Sequence, residues 1–373
     1  MNVIMFHSIG SDQTTWNKNW LSLDKTQFEE FCKFLYKRKY STHFLDYWYN
    51  ANDVNYKINN REIVLTFDDG YLDNLLVAYP ILEKYKLKGT IFINPEFVDG
   101  SSGVRKLIGA NKDETLGYLN WDEIEYLDKT KYIDIQSHTM SHNFYFHSNK
   151  IIDIYEGQDK YSWLGWIEKP ESKPYSINEN QNKIIENGVP IFEFGRALGL
   201  RRYFPNAKLN DYAKELYLKK LSKLQTLQLL NEYQKEFPGR YESDEEMRLR
   251  YWYELNDSKK ILEHKLDKKI DYLCWPGGGY NDLSIALSIK AGYKASTISS
   301  SDKFIKIDKF IDYKRIRRFG LGTIMLNSDK EVIRFKYKKY LIWSFMEKKG
   351  NVLYKILIRL IRYKKIVLSK IKR

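Results

Sequence analysis

Two short runs combine carboxylates and imidazoles at spacings that suit metal chemistry. Ile63-Val64-Leu65-Thr66-Phe67 ends in Asp68-Asp69-Gly70, and a later run reads Ser137-His138-Thr139-Met140-Ser141-His142. Adjacent carboxylates repel, so in a burial-prone place both stay ionised only with a cation or hydrogen-bond donors nearby. The bland reading of the first run is a turn, since Asp-Gly is a common turn dipeptide. Two histidines four apart bring both imidazoles to one face if the segment turns helically; the bland reading is two polar surface side chains. Read together, the runs favour a metal over a turn. One carboxylate with two imidazoles makes a facial ligand set that leaves positions for water and substrate.

Two further elements bear on the same chemistry. His7 follows an apolar run in Phe6-His7-Ser8, and an imidazole with an ordinary pKa near 6.5 suits a proton donor. Cys274-Trp275-Pro276-Gly277-Gly278-Gly279-Tyr280-Asn281 holds three glycines. They permit close backbone approach to a ligand, and their N–H groups could meet negative charge developing on an oxygen. The glycine spacing and missing lysine do not make a phosphate-binding loop.

All of these runs follow strand candidates, which is where sites gather in parallel α/β folds. The pattern predicts strands at Val3–Phe6, Ile63–Phe67, Thr90–Asn94, Tyr132–Gln136, Tyr272–Trp275 and Ala295–Ile298. It predicts helices at Asp24–Lys37, Asp73–Lys84 despite Pro80, and Trp121–Leu127. Residues 143–270 break the rhythm with Tyr, Trp, Lys and Glu and few strand signals, and read as a helical insertion. Within it Ser243-Asp244-Glu245-Glu246 is a capping box, and Ser258 a cap for a helix through Leu266. The main domain is placed at 1–325, with the insertion inside it and a tail at 326–373.

The 373 residues, 43% hydrophobic, suffice for a large core. The net charge is +14, yet residues 329–373 hold fifteen basic residues against three acidic, a net +12, which leaves +2 for the rest. A nucleic-acid surface on the main body is therefore excluded. Leu353, Ile356, Leu357, Leu360, Ile361, Val367, Leu368 and Ile371 recur at helical spacing among Lys355, Arg359, Arg362 and Lys370. This basic amphipathic helix suits an anionic membrane surface, with docking on the barrel or RNA binding as the alternatives. Cys32 and Cys274 offer neither a disulfide framework nor a thiolate metal site. The N-terminal run lacks the features of a secretory signal, which points to a cytoplasmic protein, peripheral on the inner face of the membrane.

Thr66-Phe67-Asp68-Asp69-Gly70 and Ser137-His138-Thr139-Met140-Ser141-His142 together resemble the polysaccharide deacetylases, carbohydrate esterase family four, which includes chitin and peptidoglycan deacetylases. The resemblance implies an α/β fold, a distorted (β/α) barrel of about seven strands, and a divalent metal, usually zinc. It implies Asp69, His138 and His142 as metal ligands, Asp68 as general base and His7 as catalytic acid. An arginine of the last strand would orient the base, with Arg317 chosen from Arg315, Arg317 and Arg318. Pro276, Gly277, Gly278 and Tyr280 would form the oxyanion and substrate loop, although the family has an aromatic residue where Gly277 stands.

Trp163, Trp166, Arg201 and Arg202 of the insertion suit either a substrate lid or local packing. The expected activity is hydrolysis of N-acetyl groups on an amino-sugar glycan or lipid-linked precursor. Removal of another N-acyl group, such as formyl, and a non-catalytic carbohydrate-binding role are the alternatives.

Overall fold

The computed structural model describes residues 2–10, 21–53, 59–106, 115–175, 184–298, 314–322, 324–326 and 332–371. Seven strands form from short runs of branched and aromatic residues with little polar interruption, as buried parallel strands require. They are β1 (Asn2–Phe6), β2 (Glu62–Phe67), β3 (Gly89–Ile93), β4 (Ile133–Ser137), β5 (Tyr272–Leu273), β6 (Ala295–Ile298) and β7 (Arg315–Gly320). Hydrogen bonding runs in the order β1-β7-β6-β5-β4-β3-β2, and β1 pairs with β2 from Asn2↔Ile63 to Phe6↔Phe67. That last pairing closes a parallel barrel, the fold expected from the sequence. A distortion sits at β2: Ser41–His43 pairs with its first half and β3 with Thr66 and Phe67.

By internal contacts the chain divides into two units. One is Met1–Ile93, Gly100–Gln136 and Thr297–Arg373; the other is Asn94–Asp99 and Ser137–Ser296. In the first, helix Lys25–Lys37 starts where the Asp24 carboxylate accepts from the Gln27 N–H at 3.0 Å. Its Phe28, Phe31, Cys32 and Leu35 are buried, and the Phe28 ring lies 5.5 Å from Phe6 and 5.9 Å from Phe67. The expected helix Asp73–Lys84 is a π turn, Asn74–Ala78, running into an α-helix, Tyr79–Lys84. Pro80 sits in its first turn, where a missing N–H costs little.

The second unit holds the helices expected of the insertion and adds strands that the sequence reading did not expect. Its first element is an antiparallel ribbon of Phe144–Ile154 with Pro190–Arg196. Register shifts between Phe146 and Ile151 and between Ile151 and Asp153 break the two-residue alternation, which hid this strand in the sequence. Helices Ala207–Leu218 and Lys223–Glu236 pack Leu209, Leu216 and Leu230 onto Phe192 and Tyr203. The Ser243 capping box forms and starts helix Asp244–Trp252. Ser258 caps nothing, because a π turn, Tyr253–Asp257, carries the chain into helix Ser258–Leu266.

Asp153 is buried on the ribbon. Burial raises its carboxyl, but bonds from Lys223, Tyr161, Lys160 and the Ile154 N–H outweigh this and hold it well below the ordinary carboxylate range. A lowered native pKa stabilises the fold above the unfolded value of 3.8, and that contribution is lost as the pH falls below it. Urea unfolding followed from neutral pH down through this range is expected to show a shallower acid limb for Asp153→Asn than for the wild type.

Candidate active site

The end of β2 turns sharply. Asp69 and Gly70 both have positive φ, 73° and 67°, and a Cβ at Gly70 would strike Ile93. The turn and chemical readings of Asp68-Asp69-Gly70 are thus one arrangement, because the turn gives each carboxylate its own partners. Asp68 is buried, its N–H donates to the Phe6 carbonyl at 3.0 Å, and its two oxygens accept Arg318 Nη1 at 2.6 Å and Nη2 at 2.9 Å. The Asp69 carboxylate accepts from the Tyr71 hydroxyl at 2.9 Å. Burial and the neighbouring Asp69 push the Tyr71 phenol well above its usual range, so it remains a donor.

The expected Arg317 is therefore corrected to Arg318. Successive strand residues point to opposite faces, and Arg317 is exposed while Arg318 shares the buried face of Ile316. His7 is in reach of the same carboxylate, with Nε2 3.8 Å from Asp68 Oδ2.

In the other unit, β4 ends at Ser137 and the ligand candidates follow. The segment is not helical. Thr139 and His142 take left-handed φ values of 64° and 53°, and this brings the two imidazoles to 5.2 Å between centroids. His138 is buried, with Nδ1 2.9 Å from the Cys274 carbonyl oxygen. That bond fixes the ring with Nδ1–H donating, which reserves Nε2 as the lone-pair nitrogen. Cys274 acts here through its backbone rather than its thiol.

A buried carboxylate from the insertion holds the turn. Glu254 Oε2 accepts the Met140 N–H at 3.1 Å and the Ser141 N–H at 3.0 Å, while Oε1 accepts the Ser141 hydroxyl. Burial pushes the Glu254 carboxyl above its usual value, and the Ser141 bonds work against that. On the carbonyl side, Asn94 donates to His138 and Thr139, and the buried Lys173 ammonium donates to Ser141 at 3.1 Å and pairs with Glu96.

The Trp275-Pro276-Gly277-Gly278 loop has positive φ at Gly277 and Gly278, 53° and 70°. A side chain at Gly277 would collide with the Arg196 guanidinium, which lies 3.9 Å over the Phe144 ring. Arg196 thus fills the space beside the loop, and this explains glycine after Pro276. The Gly278 and Gly279 N–H groups donate to the Trp275 and Pro276 carbonyls at 3.0 and 3.1 Å. Tyr280 packs against Trp275, ring centroids 5.5 Å apart. A cleft of about 190 Å³ is lined by His142, Asn143, Arg196, Leu198, Pro276 and Gly279, among others.

Of the aromatic and basic residues considered for a lid, Trp166 lies edge-on to Phe97, ring centroids 5.2 Å apart, and the other three pack within the insertion. Trp163 is buried against Phe144, Phe146 and Phe194. Arg201 bonds to the Glu242 carbonyl and Asp244, and Arg202 stacks on Tyr145 and Phe204.

In one unit Asp69 offers a carboxylate, and in the other His138 and His142 offer two imidazoles. One carboxylate and two imidazoles are the donors that zinc and related divalent ions take.

Residues 55–192, which include Asp68, Asp69, His138 and His142, match the polysaccharide deacetylase family. A Bacillus subtilis protein named as a polysaccharide deacetylase, YxkH, is 36% identical over 91 residues, 24% of this chain, and the match spans 30% of that relative's length. Two solved structures share the fold. A de-N-acetylase from Aggregatibacter actinomycetemcomitans has a TM-score of 0.52 at 16% identity, covering 85% of this chain and 93% of that one. The BpsB deacetylase domain from Bordetella bronchiseptica has a TM-score of 0.51 at 14% identity, covering 86% and 95%. Fold and motifs define a (β/α) barrel, part of which, residues 55–192, is similar to the polysaccharide deacetylase family. The chain spans about a third of the length of the curated relative it matches.

Glu254 and Arg196 were not singled out by sequence reasoning, and Arg318 was named there only as an alternative to Arg317. The local signal for Arg318 was the apolar Ile316 two residues before it. Replacing Glu254 by Ala strands the buried Ser141 N–H and hydroxyl, at about 1–3 kcal/mol for each donor left unpaired, while the Met140 N–H keeps its bond to the residue 254 backbone carbonyl at 3.1 Å. Glu254→Ala is expected to lower the urea midpoint well below that of Glu254→Gln, whose amide oxygen can still accept.

Proposed function

We propose that this protein removes N-acetyl groups from an amino-sugar glycan or a lipid-linked sugar precursor. Asp69, His138 and His142 would hold a divalent metal, zinc before other ions. The observation that supports this reading is the His138–His142 pair, ring centroids 5.2 Å apart, in a chain whose other motif sets Asp68, locked by Arg318, beside Asp69. The donor set fits the ion: His138 has Nδ1 committed to a carbonyl, and the Asp69 carboxylate is oriented by Tyr71.

When bound, the ion supplies Lewis acidity and lowers the pKa of water from about 15.7 toward 7. Asp68 then takes the proton of the attacking water. The Arg318 fork holds that carboxylate by two bonds and aims it. His7, whose Nε2 lies 3.8 Å from Asp68, would deliver a proton to the departing amine. The N–H of Gly277 is the candidate donor to the oxyanion, since those of Gly278 and Gly279 close the loop. Acetate and a free amino sugar result. A precursor presented at the cytoplasmic face of a membrane is the substrate source that fits the basic terminal helix.

Acetate release from N-acetylated oligosaccharides is the direct measurement, expected to stop with a chelator and return with Zn²⁺. Asp68→Asn should keep its metal and lose about 10²-fold or more in turnover, the range for removal of a general base. His138→Ala should lose metal and turnover together. Wild-type acetate release by Asp68→Asn would overturn the assignment.

A further inference from the structure

The terminal helix Val352–Ile371 is anchored to the first unit by one face. Ile358 and Ile361 are buried in a cluster with Phe335 and Tyr340, and Arg362 Nε donates to the Tyr340 hydroxyl at 3.3 Å. The 3.6-residue period puts Val352, Leu353, Ile356, Leu360 and Tyr363 together on the opposite side. These are exposed, Leu353 by 77%, Leu360 by 62% and Tyr363 by 69%. Lys355 and Arg359 border that stripe on one side and Lys364 on the other, all three exposed, and the helix carries six basic residues and no acidic one. Docking on the barrel therefore accounts for one face only, and the other has the make-up of a helix lying in a membrane interface.

We infer that this outer face of Val352–Ile371 is a binding surface for an anionic lipid bilayer. The stripe enters the headgroup boundary and the flanking Lys355, Arg359 and Lys364 meet lipid phosphates, with the buried face keeping the helix parallel to the surface. Charge separates this occupant from two others. A second copy of the chain would set one basic border against another, and like charges at close range repel. A nucleic acid would meet five apolar side chains where its phosphates require cations. Among the described residues no helix is long and apolar enough to cross a membrane, so the surface mode is the one available to this helix. The inference stands apart from the catalytic reading and needs no metal.

Co-sedimentation of the full chain with vesicles tests it. Phosphatidylcholine vesicles containing phosphatidylglycerol are expected to bind at least about tenfold more protein than phosphatidylcholine alone, with binding falling as salt is raised. The double variant Leu353→Glu, Leu360→Glu changes two exposed side chains and should lose that binding while keeping the wild-type unfolding midpoint. Lys355→Gln with Arg359→Gln and Lys364→Gln should weaken it and flatten the salt dependence. Equal binding to neutral and anionic vesicles, no binding to either, or a double variant that sediments like the wild type would overturn the inference. So would a concentration-dependent dimer that the double variant abolishes, since that assigns the face to a second copy.

Discussion

The geometry of the candidate site depends on one buried carboxylate that belongs to neither ligand strand. A six-residue segment with left-handed φ at Thr139 and His142 does not hold itself, because such values cost about 1–3 kcal/mol each when nothing compensates. Glu254 compensates by accepting the Met140 and Ser141 N–H groups and the Ser141 hydroxyl, while Asn94 and Lys173 take the carbonyls. The carbonyls from His138 to Ser141 and the N–H groups of Thr139, Met140 and Ser141 thus all have partners, and the imidazoles project where a helix would not put them. The insertion that supplies Glu254 and Lys173 is for this reason part of the site's framework.

A second constraint is electrostatic. Adjacent Asp68 and Asp69 cannot both remain charged in a buried turn unless each is neutralised differently. Arg318 takes both oxygens of Asp68 and Tyr71 donates to Asp69. A guanidinium holds its carboxylate by two parallel bonds, whereas a phenol orients the other by one side. The two adjacent carboxylates are thus set in different local surroundings by different partners.

Much of this was legible in the chain itself. Six of the seven barrel strands are short apolar runs that need no tertiary information, and Ser243 marks a helix start by capping chemistry alone. The two polar motifs are each contiguous in sequence, so candidate ligands could be named at once. Glu254 could not be found this way. It sits 113 residues from Ser141, inside a helical run of ordinary charged composition, and only folding joins the two. The ribbon Phe144–Ile154 was hidden because its bulges destroy the alternation, and Arg317 was chosen over Arg318 because the facing of a strand residue is set by its neighbours' burial.

The loop after Pro276 shows how one departure from the family pattern is balanced by another. The family places an aromatic side chain after the proline, and Gly277 gives none. Arg196, from the end of the ribbon, lies across the glycines with its guanidinium on Phe144, so that a Cβ at Gly277 or Gly279 would run into it. A planar cation stacked on an aromatic ring presents a flat face much as a ring does, but adds a permanent charge beside His142 and Pro276 in the same cleft. A charge of that sign favours anionic groups in the cleft. The glycines and the arginine therefore form a single unit: with either changed alone, the loop would be crowded or its wall lost.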